Sequence, residues 1–181
     1  MTTAADALLQ FWFEETPPAR WFGVDPAFDA LLAERFGALL GAARQSLLWT
    51  WRGSPRGRLA EIIVLDQFSR NIHRGSAAAF AADPLALALA QEAVAQGADQ
   101  ALPVTQRSFL YLPYMHSEAL AVHDEALRLY DQPGLENNLA YEHKHREILL
   151  RFGRYPHRNA TLGRVSTPDE LAFLQTPGSS F

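Results

Sequence analysis

The chain has no cysteine among its 181 residues. That excludes disulfides, thiolate nucleophiles and cysteine-ligated zinc or iron–sulfur centres, and leaves any metal to histidine and carboxylate. Lysine is nearly absent too: fifteen of the sixteen basic residues are arginine, with Lys144 the exception. No apolar run is read as long enough to span a bilayer, and the start MTTAADALLQ lacks the basic region of a signal peptide. The expectation is a soluble, cytoplasmic protein with no membrane contact. A formal charge of −4 withholds the basic face that a general nucleic-acid binder needs, so RNA or DNA is disfavoured as a partner. Finally, no window alternates polar and apolar residues with period two between turn signals, so strands are not required.

What is present points to helices. Nearly half the residues are hydrophobic, and 181 residues suit one compact domain, here residues 1–181. Start signals recur. Thr2 or Thr3 can cap a helix carrying Leu8, Leu9, Phe11, Trp12 and Phe13, stopped by Pro17 and Pro18; Asp25-Pro26, Ser54-Pro55 and Asp83-Pro84 each pair a cap with a first-turn proline. Thr105 can cap a segment interrupted by Pro113, with a kink near His116, and Ser117 can restart a helix to about Asp131. Residues 136–152 form a further helix ending at Gly153, and Thr167, Pro168 and Glu170 make a capping box for a short last one, before a tail TPGSSF. The fold class is all-α, an array of antiparallel helical hairpins. Trp12, Trp21, Trp49 and Trp51 are read as core residues, with a pocket lining as their alternative use.

The stretch LAEIIVLDQFSRNIHRG, residues 59–75, organises the rest. Leu59, Ile62 and Ile63 lie on one helical face, and the next positions on that face are Asp66 and Arg70. A stripe that faces the core thus ends in an acid and an arginine, and buried charges must meet each other and further polar partners. Three other clusters can supply them. His116 and Glu118 follow the kink; His143, His145 and Arg146 lie on the helix 136–152; and Arg154, His157, Arg158 and Asn159 sit in the turn RFGRYPHRN. On its helix, His145 shares a face with Tyr141, Ile148 and Phe152, where a carboxylate such as Asp66 or Glu118 would orient it. Metal is not expected, since no helix carries a His-x-x-x-His pair.

Two readings of these charges stay open. In one, Asp66 and Arg70 form an intrahelical pair that ties helices together, and the late arginines cap a helix end. In the other, the clusters converge on an anionic small molecule. Arg70, Asn71, Arg74, His145, Arg146, Arg154, Arg158 and Asn159 would then bind it, with His116 or His157, tuned by Glu118 or Asp66, as acid or base. No cofactor is called for, and no reaction is assigned.

The same motifs carry a resemblance. FWF at 11–13, WF at 21–22, FD at 28–29, LDQFSRNIHRG at 65–75, FLYLPYMHSE at 109–118 and HREILLRFGRYPHRN at 145–159 match, in order, a bacterial domain of unknown function, family 924. The chain resembles that family over almost its whole length. Ser69 replaces the usual proline and Ala119 a frequent acidic residue. The resemblance implies a tetratricopeptide-like helical superfold without sequence repeats and no established activity; on fold analogy, a protein or peptide partner is the alternative to a small molecule.

Overall fold

The computed structural model describes residues 3–179, and within them every regular element is helical. Local chemistry accounts for the starts. The Thr3 hydroxyl accepts from the Asp6 amide at 3.1 Å and opens α1 (Ala4–Gln10), whereas Thr2 lies outside the described residues. Asp25 accepts from the amides of Ala27 and Phe28 and opens α2 (Pro26–Arg44); Ser54 accepts from Gly57 and opens α3 (Pro55–Ile63). Each places a proline in the first turn, where its missing N–H costs nothing. Thr167 and Glu170 close both bonds of the capping box before α9 (Pro168–Phe173). Gly153, at φ +68, takes the left-handed turn after α8 (Glu136–Phe152).

Two helices widen where the sequence suggested straight continuation. After α1, residues Phe11–Glu15 form a π-turn, and after α3 a second π-turn, Val64–Phe68, leads into α4 (Ser69–Ile72). A π-turn inserts one extra residue into the helical circuit and re-aims the side chains that follow. The one at 64–68 carries Asp66.

Three start signals work differently from their sequence reading. Ala82, not Asp83, stands at the N-cap of α5 (Asp83–Ala95), and no side chain caps that helix. α6 (Val104–Met115) begins one residue before Thr105 and runs through Pro113, with His116 as its C-cap. α7 (Leu120–Tyr130) starts later than Ser117, whose hydroxyl instead accepts from the Ala119 amide. Residues 77–95 do reach the length and apolarity of a membrane span by composition, which narrows the earlier exclusion. The stretch is divided, however, into a 3₁₀ turn (Ala77–Ala79) and α5, with Asp83 at the join.

The rod α3–π-turn–α4 packs against α1, α2, α5 and α6, while α5, α6, α7 and α8 each pack against the next. Leu59, Ile62, Ile63 and Leu65 are wholly buried in it, and Trp12 fills the centre with its ring edge-on to Phe68 and Phe109. Of the other tryptophans, Trp21 and Trp51 are half-buried, and Trp49 is 65% exposed and does not belong to the core. A separate buried pair clasps α7 to α8: His123 Nδ1 lies 2.5 Å from Glu142 Oε1, and its Nε2 lies 2.8 Å from the Ser117 carbonyl.

Gly57 sits where α3 crosses the chain leading into it. A Cβ there would lie 2.0 Å from the Trp51 carbonyl oxygen. Alanine favours a helix interior over glycine by about 1 kcal/mol, but displacing a backbone carbonyl costs about 1–3 kcal/mol. Gly57→Ala is therefore expected to lower unfolding free energy in chemical denaturation. Equal or higher stability would show that the segment 49–54 yields freely.

Candidate functional site

The Asp66 carboxylate is 1% exposed, and the partners that make this tolerable define the site. Its Oδ1 lies 2.7 Å from His116 Nδ1 and 3.1 Å from Arg70 Nη1; its Oδ2 accepts from Gln67 Nε2 at 2.6 Å. Arg70 also donates to the Asp66 carbonyl and holds Asp83 with both Nη atoms, at 2.8 and 2.9 Å. Arg158 reaches Asp83 at 3.5 Å and donates to the His116 carbonyl at 3.0 Å, with its guanidinium 4.7 Å from both the Phe80 and the Tyr155 ring centres. Four segments distant in sequence are joined by this chain of charges.

Electrostatics sets the protonation states. Burial alone would raise the Asp66 pKa, but the charge of Arg70 and the contacts with His116 and Gln67 outweigh it, so the carboxyl stays ionised. For His116, burial and the Arg70 charge together outweigh the pull of Asp66 and lower its pKa. A neutral imidazole facing an ionised carboxylate must donate through Nδ1, which leaves Nε2 with its lone pair. Burial likewise lowers His145 to about 3 and His157 to about 4, the latter helped by Arg158.

His116 forms part of the wall of a cavity of about 700 Å³. Arg70, Arg74 and Arg158 line it together with the three neutral imidazoles of His116, His145 and His157. Gln67, Asn71, Asn137 and Asn138 add amides; Trp21, Phe22, Phe80 and Tyr155 add aromatic surface. Among the described residues, no aspartate or glutamate lines this cavity. The carboxylates stand behind the arginines: Asp29 accepts from Arg74 Nε at 2.6 Å and from Asn71 Nδ2 at 2.8 Å, as Asp66 and Asp83 do from Arg70. A smaller cavity of about 360 Å³, bordered by Asp83, Ser117 and Glu118, shares Phe80, His116 and Arg158 with the larger one.

Of the residues singled out from sequence, Asp66, Arg70, Asn71, Arg74, His116, His145, His157 and Arg158 come together at or directly behind this wall. Four others lie elsewhere. Arg154 forms a fork with Glu170 at 2.6 and 2.8 Å, and Asn159 donates to the same carboxylate, so both fasten α9. Arg146 pairs with Asp124 on α7. Glu118 borders the smaller cavity and is held by both Nη atoms of Arg164 and by the Tyr155 amide. The carboxylate expected beside His145 is engaged elsewhere, and His145 Nδ1 bonds the Tyr141 carbonyl at 2.8 Å. Asp83 was missed because Asp-Pro reads as a helix cap; Phe80, Asn137 and Asn138 carried no signal beyond their residue types.

A family model described as "Bacterial protein of unknown function (DUF924)" matches residues 8–178. A solved structure, described as a protein of unknown function, ATU0120, from Agrobacterium tumefaciens, is 40% identical. It aligns over 94% of this chain and 96% of its own with a TM-score of 0.90. No curated protein matches the chain.

The depressed histidines make stability depend on pH. In the unfolded chain a histidine titrates near 6.5, whereas in the folded protein burial lowers His116, and holds His145 and His157 neutral down to about 3 and about 4. As pH falls below 6.5 the unfolded state takes up protons that the native state refuses, so stability declines, by up to about 1.4 kcal/mol per pH unit for each such group. Between pH 7 and 5, above the carboxylate range, the melting temperature is expected to fall, and His145→Gln to flatten that fall. A flat wild-type profile would contradict the burial of these rings in neutral form.

Proposed function

The chain belongs to this bacterial family of unknown function, and from that premise we propose that it binds an anionic small molecule in the larger cavity, with His116 as general base. One observation carries the reading: Asp66, buried and ionised, holds His116 Nδ1 at 2.7 Å on a cavity wall that, among the described residues, presents three arginines and no carboxylate. A carboxylate so placed fixes the imidazole tautomer and stabilises the imidazolium formed when Nε2 takes a proton. Arg158, more loosely held by Asp83 than Arg70 is, offers positive charge to the ligand. The base works at neutral pH because burial keeps the ring unprotonated. The chemistry this supports is proton abstraction from the ligand, or from a water attacking its carboxylate or phosphate derivative.

The tetratricopeptide-like arrangement implied by the family resemblance belongs to the same proposal, and the successive packing of α5 to α8 supports it. A scaffold that docks a peptide has less behind it, because such a groove asks for an extended apolar surface. Here arginine, histidine and amide groups interrupt the aromatic and aliphatic surface of the cavity.

The test is ligand-induced thermal stabilisation across a panel of carboxylate and phosphate metabolites. At least one is expected to raise the melting temperature saturably. His157→Ala should weaken that ligand tenfold or more, about 1.4 kcal/mol, and Arg154→Ala should leave its affinity unchanged. If a turnover assay follows from the ligand, His116→Gln should slow it by roughly 100-fold or more. Loss of binding in Arg154→Ala, or a panel without any responding anion, would overturn the assignment.

A further inference from the structure

Resting on that reading of the larger cavity, we infer that its ligand is an organic monoanion with a flat apolar body, an aromatic or unsaturated carboxylic acid, and that nucleotides and other polyphosphates are excluded. The first argument is charge capacity. Three guanidiniums line the cavity, and three carboxylates stand behind them. Arg70 spends both Nη atoms on Asp83, and Arg74 spends Nε and Nη2 on Asp29 at 2.6 and 3.0 Å. Neither planar fork is left for a phosphate, whose tight recognition needs bidentate donors or several uncommitted cations. Arg158 is the least committed to a carboxylate: its contact with Asp83 is 3.5 Å, its one shorter bond goes from Nη2 to the His116 carbonyl at 3.0 Å, and its Nε has no hydrogen-bond partner among the described residues. Three guanidiniums and three carboxylates are already neutral together, so only the loosely held charge of Arg158 is left to answer about one negative charge on a ligand. Several charges would leave a buried excess with nothing to balance it.

The second argument is shape. A volume of about 700 Å³ falls in the range of sites for drug-sized molecules, about 300–1,000 Å³, far larger than acetate or inorganic phosphate needs. Its mouth is aromatic. Trp21 gives its ring N–H to the Trp12 carbonyl at 2.9 Å, so only its carbon surface is on offer. Phe22 stacks parallel on Phe109, with centroids 5.7 Å apart, yet remains 67% exposed where it borders the cavity. Arg74 reaches the carbonyl of Gly23 next to it, which ties this rim to the cationic wall. An exposed ring at the rim and a single available cation deeper in match a molecule with one flat end and one charged end.

Matched probes test this through intrinsic tryptophan fluorescence, with Trp21 as reporter, and through thermal shift. The set is 3-phenylpropionate, its uncharged amide, propionate, and ATP. The phenyl carboxylate is expected to bind at least tenfold more tightly than the amide, which lacks the charge, and than propionate, which lacks the ring. ATP should not displace it. Phe22→Ala, an exposed position that leaves the core intact, should weaken 3-phenylpropionate about tenfold and leave propionate unchanged. Equal binding of the amide, equal binding of propionate, or tighter binding of ATP overturns the inference. If no probe binds while the metabolite panel yields another anion, the ligand class falls and the cavity assignment stands. If neither experiment yields a ligand, both fall.

Discussion

A carboxylate removed from water forces the arrangement of everything near it. Asp66 sits in the middle of the most buried helix of the protein, on a π-turn that interrupts it, and an ionised group there would be prohibitive without compensating partners. Arg70 supplies charge, Gln67 and His116 supply hydrogen bonds, and each brings its own requirements. Arg70 in turn needs Asp83 from the start of α5, and Asp83 draws in Arg158 from the turn after α8. Satisfying one acid thus specifies how the central rod, α5, the end of α6 and the 156–158 turn meet. The cavity is bounded by the outer side of that meeting.

Periodicity and punctuation made the helices legible. The Asp25-Pro26, Ser54-Pro55 and Thr167-Pro168-Glu170 signals are satisfied as side-chain caps because each has free amides directly ahead of it, and Glu170 keeps its cap bond while Arg154 holds the same carboxylate. Asp83-Pro84 shows the limit of such local reasoning. The same dipeptide begins a helix, yet its carboxylate is taken by a guanidinium thirteen residues earlier, a tertiary demand that outweighs a cap bond. The π-turns were likewise invisible, since a one-residue widening leaves no compositional trace.

The site was half legible for a related reason. A stripe of Leu59, Ile62 and Ile63 ending in Asp66 and Arg70 announces a buried charge, so those two residues and the need for distant partners could be anticipated. Which distant residue answers which charge could not. Arg154 and Asn159 share a motif with His157 and Arg158 but face the other way, towards Glu170, because the residues on and around the tight turn Pro156–Arg158 point to different sides. Glu118, two residues from His116, is claimed by Arg164. Spacing along a chain that turns this sharply says little about which side a residue ends on.

Phe80, His116 and Arg158 stand between the two cavities as a partition made of side chains, with one ring and one guanidinium stacked against each other. Walls built from backbone change only when helices move; this one can be thinned by trimming a single aromatic group. Related chains could therefore merge or separate the chambers, and so accommodate longer or shorter molecules, while the helical frame and the buried acid behind it stay as they are.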